Sequence, residues 1–442
     1  MKRKGENVTF PTRHTQPGRL AVAVITVILL ISAAMPPSTY CRAAAAEACG
    51  YAPADTVEAD TAVADTAAEA DGRPWPENVV ARLETLLESS IFETSTVGMM
   101  VYDLTADSAI FKHNERQLMR PASTLKMMVA VAALDRLGED HEYTTELLHT
   151  GEVEGAVLHG DVYCKGGFDP AFDNSDLNAF VDSIRRLGID TIRGDIYADV
   201  SMKDSDRLGE GWCWDDDNPA LSPLLVSRKD EFTERLRDRL HRAGIETEGE
   251  LRTGRTPHGA HMLCTVRRRL ADILPRMMKK SDNLYSESVF YHLAASAGAS
   301  TLATARQGRR MMNRLIEKLG YKPSKYYIAD GSGLSLYNYV SPELEVAFLR
   351  YAYTKDKIYV PLYASMPVAG IDGTLDDRMR RGHARGNVHA KTGTVTGVSA
   401  LAGYCTAANG HTLCFSIINM GIRHSSSGRR FQDRVCEALC RP

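Results

Sequence analysis

The stretch whose reading decides the fold is Pro121-Ala-Ser-Thr-Leu-Lys-Met-Met128. Ser123 and Lys126 stand three residues apart at the head of an apolar run, Met127–Leu137. On a helix, positions i and i+3 share a face, so the hydroxyl and the amine meet. Pro121 suits an entry turn and Gly138 a stop. The run carries almost no polar face, which predicts a buried helix with its first turn at a cleft. Burial disfavours an ammonium and lowers a lysine's pKa. A neutral amine against a serine hydroxyl is a general base beside a nucleophile. Alone the pattern is weak, because Ser-x-x-Lys arises by chance in long chains.

The bulk properties set the frame. The chain has 442 residues, 44% hydrophobic and 25% charged, enough for two domains or one core domain with an insertion. A net charge of −3 and the lack of a basic tail point away from nucleic acid. Neither a phosphate-binding Gly-x-x-x-x-Gly-Lys-Ser/Thr loop nor a His-Glu-x-x-His zinc helix occurs. Lys2, Arg3, Lys4, Arg13 and Arg19 precede an apolar run, Leu20–Met35, then Pro36-Pro37 and the small residues Ala43–Ala46. Residues 1–46 thus read as an export signal with a long basic head. The run is short for a spanning helix, so cleavage is favoured over retention as a membrane anchor. The chain is expected in the periplasm or at the outer face of the cytoplasmic membrane.

Residues 47–74 are acidic, rich in Ala and Thr and almost without aromatics, which predicts a disordered linker. Val97–Leu104 reads as a strand. From about Thr145 to Leu263 short alternating segments are broken by Gly and Asp, which predicts a mixed α/β insertion. Helices are expected over Asn78–Leu87, Leu177–Leu187, Phe232–Ala243, Arg267–Lys279, Leu284–Ala297, Thr301–Leu319, Ser341–Tyr353 and Gly428–Leu439. Asn409-Gly410 is a two-residue hairpin signal between Val398–Thr406 and Thr412–Met420. That turn puts Cys405 opposite Cys414 on one face, a candidate disulfide among nine cysteines.

Three short patterns stand in order: Ser123-x-x-Lys126, Ser281-Asp-Asn283 and Lys391-Thr-Gly393. Each occurs once, at the edge of a predicted element. Together they match the active-site trio of penicillin-binding proteins and serine β-lactamases. Further stretches extend the likeness. They are Gly166-Gly-Phe-Asp-Pro170, Ser281-Asp-Asn-Leu-Tyr-Ser-Glu287, Asp330-Gly-Ser-Gly-Leu-Ser335, Pro367-Val-Ala-Gly370 with Asp372-Gly-Thr374, and Lys391-Thr-Gly-Thr-Val-Thr-Gly-Val-Ser-Ala-Leu-Ala-Gly-Tyr404. Over roughly residues 78–440 the chain resembles the penicillin-binding protein 4 type of D-alanyl-D-alanine carboxypeptidase/endopeptidase, serine peptidase family S13.

The resemblance implies a mixed α/β (α+β) penicillin-recognising transpeptidase, or β-lactamase-like, fold: an antiparallel sheet sandwiched by helices. The catalytic domain would comprise 75–144 and 265–442, with an accessory domain, 145–264, inserted after the nucleophile helix. This insertion looks shortened, because Leu224-Leu225 leads almost directly to the Phe232 helix. The implied substrates are peptidoglycan stem peptides and cross-links, with β-lactam antibiotics as covalent inhibitors and no metal or other cofactor. Ser123 would be the nucleophile and Lys126 its base, kept neutral by burial and by Lys391. Ser281 would relay a proton, and Asn283 would hold Lys126 or the substrate amide. Lys391, Thr392 and Thr394 would bind the terminal carboxylate, and Gly393 would leave room for substrate along its strand. The backbone N–H groups of Ser123 and Thr394 would hold the oxyanion. His389, Asp169, Asp330 and Ser332 are read as packing or loop structure, and Gly211–Asp215 as aromatic packing. The rival readings are a β-lactamase of the same fold and an exported cell-wall-binding protein with an inactive site.

Overall fold

The computed structural model describes residues 72–216, 218–298 and 302–442. The expected export signal, its use as a membrane anchor and nearly all of the acidic linker lie outside the described residues. Among the described residues no helix is long and apolar enough to cross a membrane.

Helices α1 (Glu77–Leu86) and α2 (Ile91–Thr94) lead into β1 (Thr96–Asp103) and β2 (Ser108–His113). A 3-10 turn, Ala122–Thr124, then runs into α3 (Leu125–Arg136). Ser123 therefore sits in a tighter turn just ahead of the α-helix expected to carry it. Every residue from Leu125 to Leu134 is buried, as the absence of a polar face requires. Gly138 ends the helix with φ +82°, a conformation open to glycine.

The next segment holds β3 (Glu142–His149), β4 (Glu152–Glu154), β5 (Val157–His159), β6 (Val162–Lys165), α4 (Asn174–Arg186), β7 (Thr191–Ile192), β8 (Ile196–Asp199), α5 (Phe232–Arg242), β9 (Glu246–Thr247), β10 (Leu251–Thr253) and β11 (His261–Arg269). Five strands form one sheet in the order β10-β8-β6-β3-β11. The chain leaves through β3 and returns through its antiparallel neighbour β11. Leu147, Val162, Ile196, Phe172, Phe180, Phe232 and Leu236 give this segment a hydrophobic cluster of its own. Residues 267–269, expected as helix, are strand instead. They pair with Glu142–Thr144, and Arg267 meets Glu142 at 3.2 Å. Tertiary pairing overrides the local helical pattern here.

After β11 come α6 (Leu270–Lys279), α7 (Asn283–Ala295), α8 (Ala305–Lys318), α9 (Pro342–Tyr353), α10 (Asp356–Ser365), β12 (His389–Val395), β13 (Val398–Thr406), β14 (Thr412–Met420) and α11 (Ser425–Cys440). The main sheet runs β12-β13-β14-β1-β2, antiparallel throughout. Alternate residues face opposite sides. Met100, Tyr102, Ala400, Ala402 and Ile418 pack on α3 and the helices α6–α10. Met99, Val101, Leu401, Phe415 and Ile417 pack on α1 and α11. The expected sheet between helical layers is what forms.

The expected β13–β14 turn also fails. Cys405 pairs with Leu413, and Cys414 with Tyr404. Ala407 N–H donates to His411 O at 2.9 Å, and Gly410 has φ +85°. The β13–β14 connection is thus a three-residue loop with a left-handed glycine, not a two-residue turn. One residue of register moves a side chain to the other face. Cys405 joins the α11 side and Cys414 the α3 side, both as free thiols.

Candidate active site

Three elements converge on one cavity of about 330 Å³ whose walls include Ser123, Ser281, Thr392 and Thr394. The turn before α3 supplies Ser123. Its predecessor Ala122 has φ +48°, a strained conformation for a residue with a Cβ. The loop ahead of α7 supplies Ser281, again with φ +56°. Edge strand β12 supplies the third wall.

Lys126 Nζ, fully buried, lies 2.8 Å from Ser123 Oγ, 2.8 Å from Asn283 Oδ1 and 2.6 Å from the Ser332 carbonyl oxygen. Two of these partners only accept. The Asn283 amide is oriented by its Nδ2 donating to Asn218 Oδ1 at 2.9 Å. A neutral amine has two N–H groups for the two acceptors and a lone pair for the serine proton, so deprotonation leaves no bond unmade. Burial lowers the Lys126 pKa to about 8, against the opposing fields of Asp330, Glu287 and Asp282.

Lys391, also fully buried, places Nζ 2.8 Å from Ser281 Oγ and 2.8 Å from the Thr392 carbonyl oxygen. Burial first, then the Lys126 charge, pushes its pKa well below the ordinary lysine value. The two lysines thus favour a single positive charge between them. Thr392 Oγ1 lies 2.7 Å from Thr374 Oγ1. Gly393 is bare for a reason beyond substrate access: a Cβ there would stand 2.7 Å from Pro121 O and 3.1 Å from Ser123 N. The glycine lets β12 press against the Ser123 turn.

The surroundings fix these groups. Asp282 is buried, which works to raise its pKa, but Arg228 at 2.5 Å and Arg276 at 2.9 Å prevail and lower it. Asp330 accepts from the Gly333, Ser335, Asn338 and Trp212 donors at 2.7–2.8 Å, so it shapes the loop that delivers the Ser332 carbonyl. Glu287 holds Gly331 N–H at 3.0 Å, and burial raises its carboxyl to about 8. Ser288 and His292 on the same helix bind the Phe168 and Gly167 carbonyls at 2.5 and 2.8 Å, docking the Gly-Gly-Phe loop onto α7. Asp169 is buried in an ion pair with Arg268 at 3.0 Å. His389 stacks on Tyr363 with ring centroids 4.0 Å apart. Trp212 packs, whereas Trp214 is 88% exposed.

The sequence-derived residues Ser123, Lys126, Ser281, Asn283 and Lys391–Thr394 are therefore brought together. Sequence reasoning missed the Ser332 carbonyl, Asn218, Thr374, Arg378 and Arg429. Thr374 had a signal, since it lies in the quoted Asp372-Gly-Thr374. A backbone carbonyl has none.

The sequence profile of the D-Ala-D-Ala carboxypeptidase 3 (S13) family matches residues 79–225 and 224–439. D-alanyl-D-alanine carboxypeptidase DacB of Haemophilus influenzae is 26% identical over 415 residues, 74% of this chain and 86% of that protein. A D-alanyl-D-alanine carboxypeptidase of Actinomadura is 27% identical over 443 residues, 77% of this chain and 80% of that one. The crystal structure of penicillin binding protein 4 from H. influenzae covers 81% of this chain and 98% of its own with TM-score 0.74 at 24% identity. The same protein complexed with a β-lactam gives TM-score 0.66. With the profile spanning nearly all of the described residues, this chain belongs to the D-Ala-D-Ala carboxypeptidase 3 (S13) family.

Proposed function

We propose that the chain is a serine D-Ala-D-Ala carboxypeptidase, with endopeptidase action on cross-links, that cleaves peptidoglycan stem peptides and is acylated by β-lactams. The observation that carries this reading is the pair of buried lysines, one on Ser123 and one on Ser281, at a single cavity in an S13 chain. Ser123 attacks the carbonyl of the penultimate D-Ala and gives its proton to Lys126. An arriving substrate carboxylate supplies Lys391 with the counter-charge it lacks. The remaining charge of the lysine pair then belongs on Lys391, and Lys126 is left as free base. Thr392 and Thr394 donate hydroxyls to that carboxylate. Ser281 passes a proton to the leaving amine, and Asn283 fixes the Lys126 amine. Backbone N–H groups of Ser123 and Thr394 hold the oxyanion. Water then releases the acyl group.

We read 145–264 as an accessory domain inserted into a catalytic domain formed by 75–144 and 265–442. The basic and apolar N-terminus supports work outside the cytoplasmic membrane. Labelling with a fluorescent penicillin tests the reading. The wild type should form a long-lived adduct that Ser123→Ala lacks. A folded wild type that stays unlabelled rules the reading out, and rapid turnover of the penicillin would make the chain a β-lactamase instead.

A further inference from the structure

The catalytic cavity does not end where a one-residue leaving group would. Past Thr374 it reaches Asp376 and Asp377, and Arg429, the fifth residue of α11, stands on its wall. Asp376 and Asp377 also line a second cavity of about 470 Å³, whose other charged walls are Arg380 and Arg385. The two cavities thus meet along one acidic ridge. Among the described residues, the side chains of Asp376, Asp377, Arg380, Arg385 and Arg429 make no hydrogen bond or ion pair, and Asp377 and Arg429 act on Asp433 only through their charge. By contrast, neighbouring Arg378 is tied to Asp433 at 2.6 Å. Five charges without a hydrogen-bond or ion-pair partner stand beside a cleft, three of them cationic, and form a surface suited to an anionic ligand with some cationic character.

Free D-Ala would finish at Thr392 and Thr394 and has nothing to place further on. A cross-linked stem peptide continues, and its second strand carries free carboxylates. Resting on the function proposed above, we propose that this groove is the leaving-strand subsite. Arg380, Arg385 and Arg429 receive its carboxylates, and the groove directs the enzyme toward cross-linked substrate.

The test compares kcat/KM on a purified cross-linked muropeptide dimer and on its pentapeptide monomer, using full-length protein. In Arg380→Gln/Arg385→Gln the dimer-to-monomer ratio should fall about tenfold, the size expected for losing charge complementarity at a rim. In the wild type the same ratio should fall as salt rises from about 0.05 to about 0.5 M. A merely structural loss would lower both substrates together. A ratio unchanged by the substitutions and by salt overturns the proposal. Penicillin acylation on the same samples reports on the catalytic reading separately. An enzyme that acylates and cuts both substrates at an unaltered ratio overturns the subsite alone.

Discussion

Glu345 offers a test of how the Ser123 turn is held. Its side chain is fully buried, with Oε1 2.5 Å from Thr124 Oγ1 and Oε2 2.6 Å from Ser416 Oγ. Thr124 Oγ1 is also 2.7 Å from Pro121 O, which only accepts. One hydroxyl has one hydrogen. If Thr124 donates to Pro121, the proton between Thr124 and Glu345 must come from Glu345, which is then a neutral acid. Burial, opposed by the two hydroxyl contacts, raises its pKa from 4.5 to about 7. The sign follows from linkage. A carboxyl raised in the folded state is not penalised below the unfolded pKa. The penalty grows as pH climbs from about 4.5 to about 7 and is constant above. At about 1.4 kcal/mol per pH unit, its ceiling is roughly 3 kcal/mol. Glu345→Gln keeps both contacts, with Nε2 donating to Thr124 and Oε1 accepting from Ser416, and cannot ionise. Urea unfolding should find the variant close to wild type near pH 4.5 and up to roughly 3 kcal/mol more stable near pH 8. A stability difference that does not change with pH, or a variant weaker than wild type near pH 8, would refute the protonated-acid argument.

Other outcomes follow from the same geometry. If Lys126 is the base, the second-order rate of penicillin acylation should rise about tenfold per pH unit below pH 8 and level off above it, because burial sets its pKa to about 8; a flat stopped-flow profile over that range would remove Lys126 from the role. Gly393→Ala should force β12 away from Pro121 O and Ser123 N, lowering the acylation rate by about tenfold to a hundredfold for a stability loss of about 1–3 kcal/mol; wild-type acylation in the variant would mean the contact is slack. Peptide mapping without reduction should recover Cys405 and Cys414 unlinked, since they face opposite sides of the sheet; a fragment joining them would refute the observed register.

The parts legible in the sequence are those where side-chain type and spacing alone decide. Ser123 and Lys126 meet even though the serine lies in a 3-10 turn, because a spacing of three also closes on the tighter helix. The faceless apolar run from Leu125 to Leu134 could only be a buried helix. The hairpin after β13 was read one residue wrong because Asn409-Gly410 serves two loop lengths equally well, and the choice is made by pairing across the sheet. Helix α10 escaped because Pro361 interrupts its pattern. Arg267–Arg269 fit a helix locally but pair with β3 in the fold.

The less legible part is the reason each motif residue has its identity. Gly393 looked like open space for substrate, yet its missing Cβ equally admits the turn that carries Ser123. Gly333 acts alike, since a Cβ there would fall 1.9 Å from Ala122 O. These glycines clamp the Ser123 turn, whose Ala122 is itself held in a strained conformation. The lysine pair carries the same lesson into electrostatics. The sequence reading makes Lys126 neutral through burial and through nearby Lys391. In the free protein Lys126 has Asp330, Glu287 and Asp282 in its field, whereas Lys391 contacts only a hydroxyl and a carbonyl. The stronger claim to the shared proton therefore rests with Lys126, which leaves its amine protonated. Only an anion beside Thr392 and Thr394 can move that preference to Lys391. On this reading the substrate's terminal carboxylate does more than anchor the peptide: its charge frees the amine that takes the Ser123 proton.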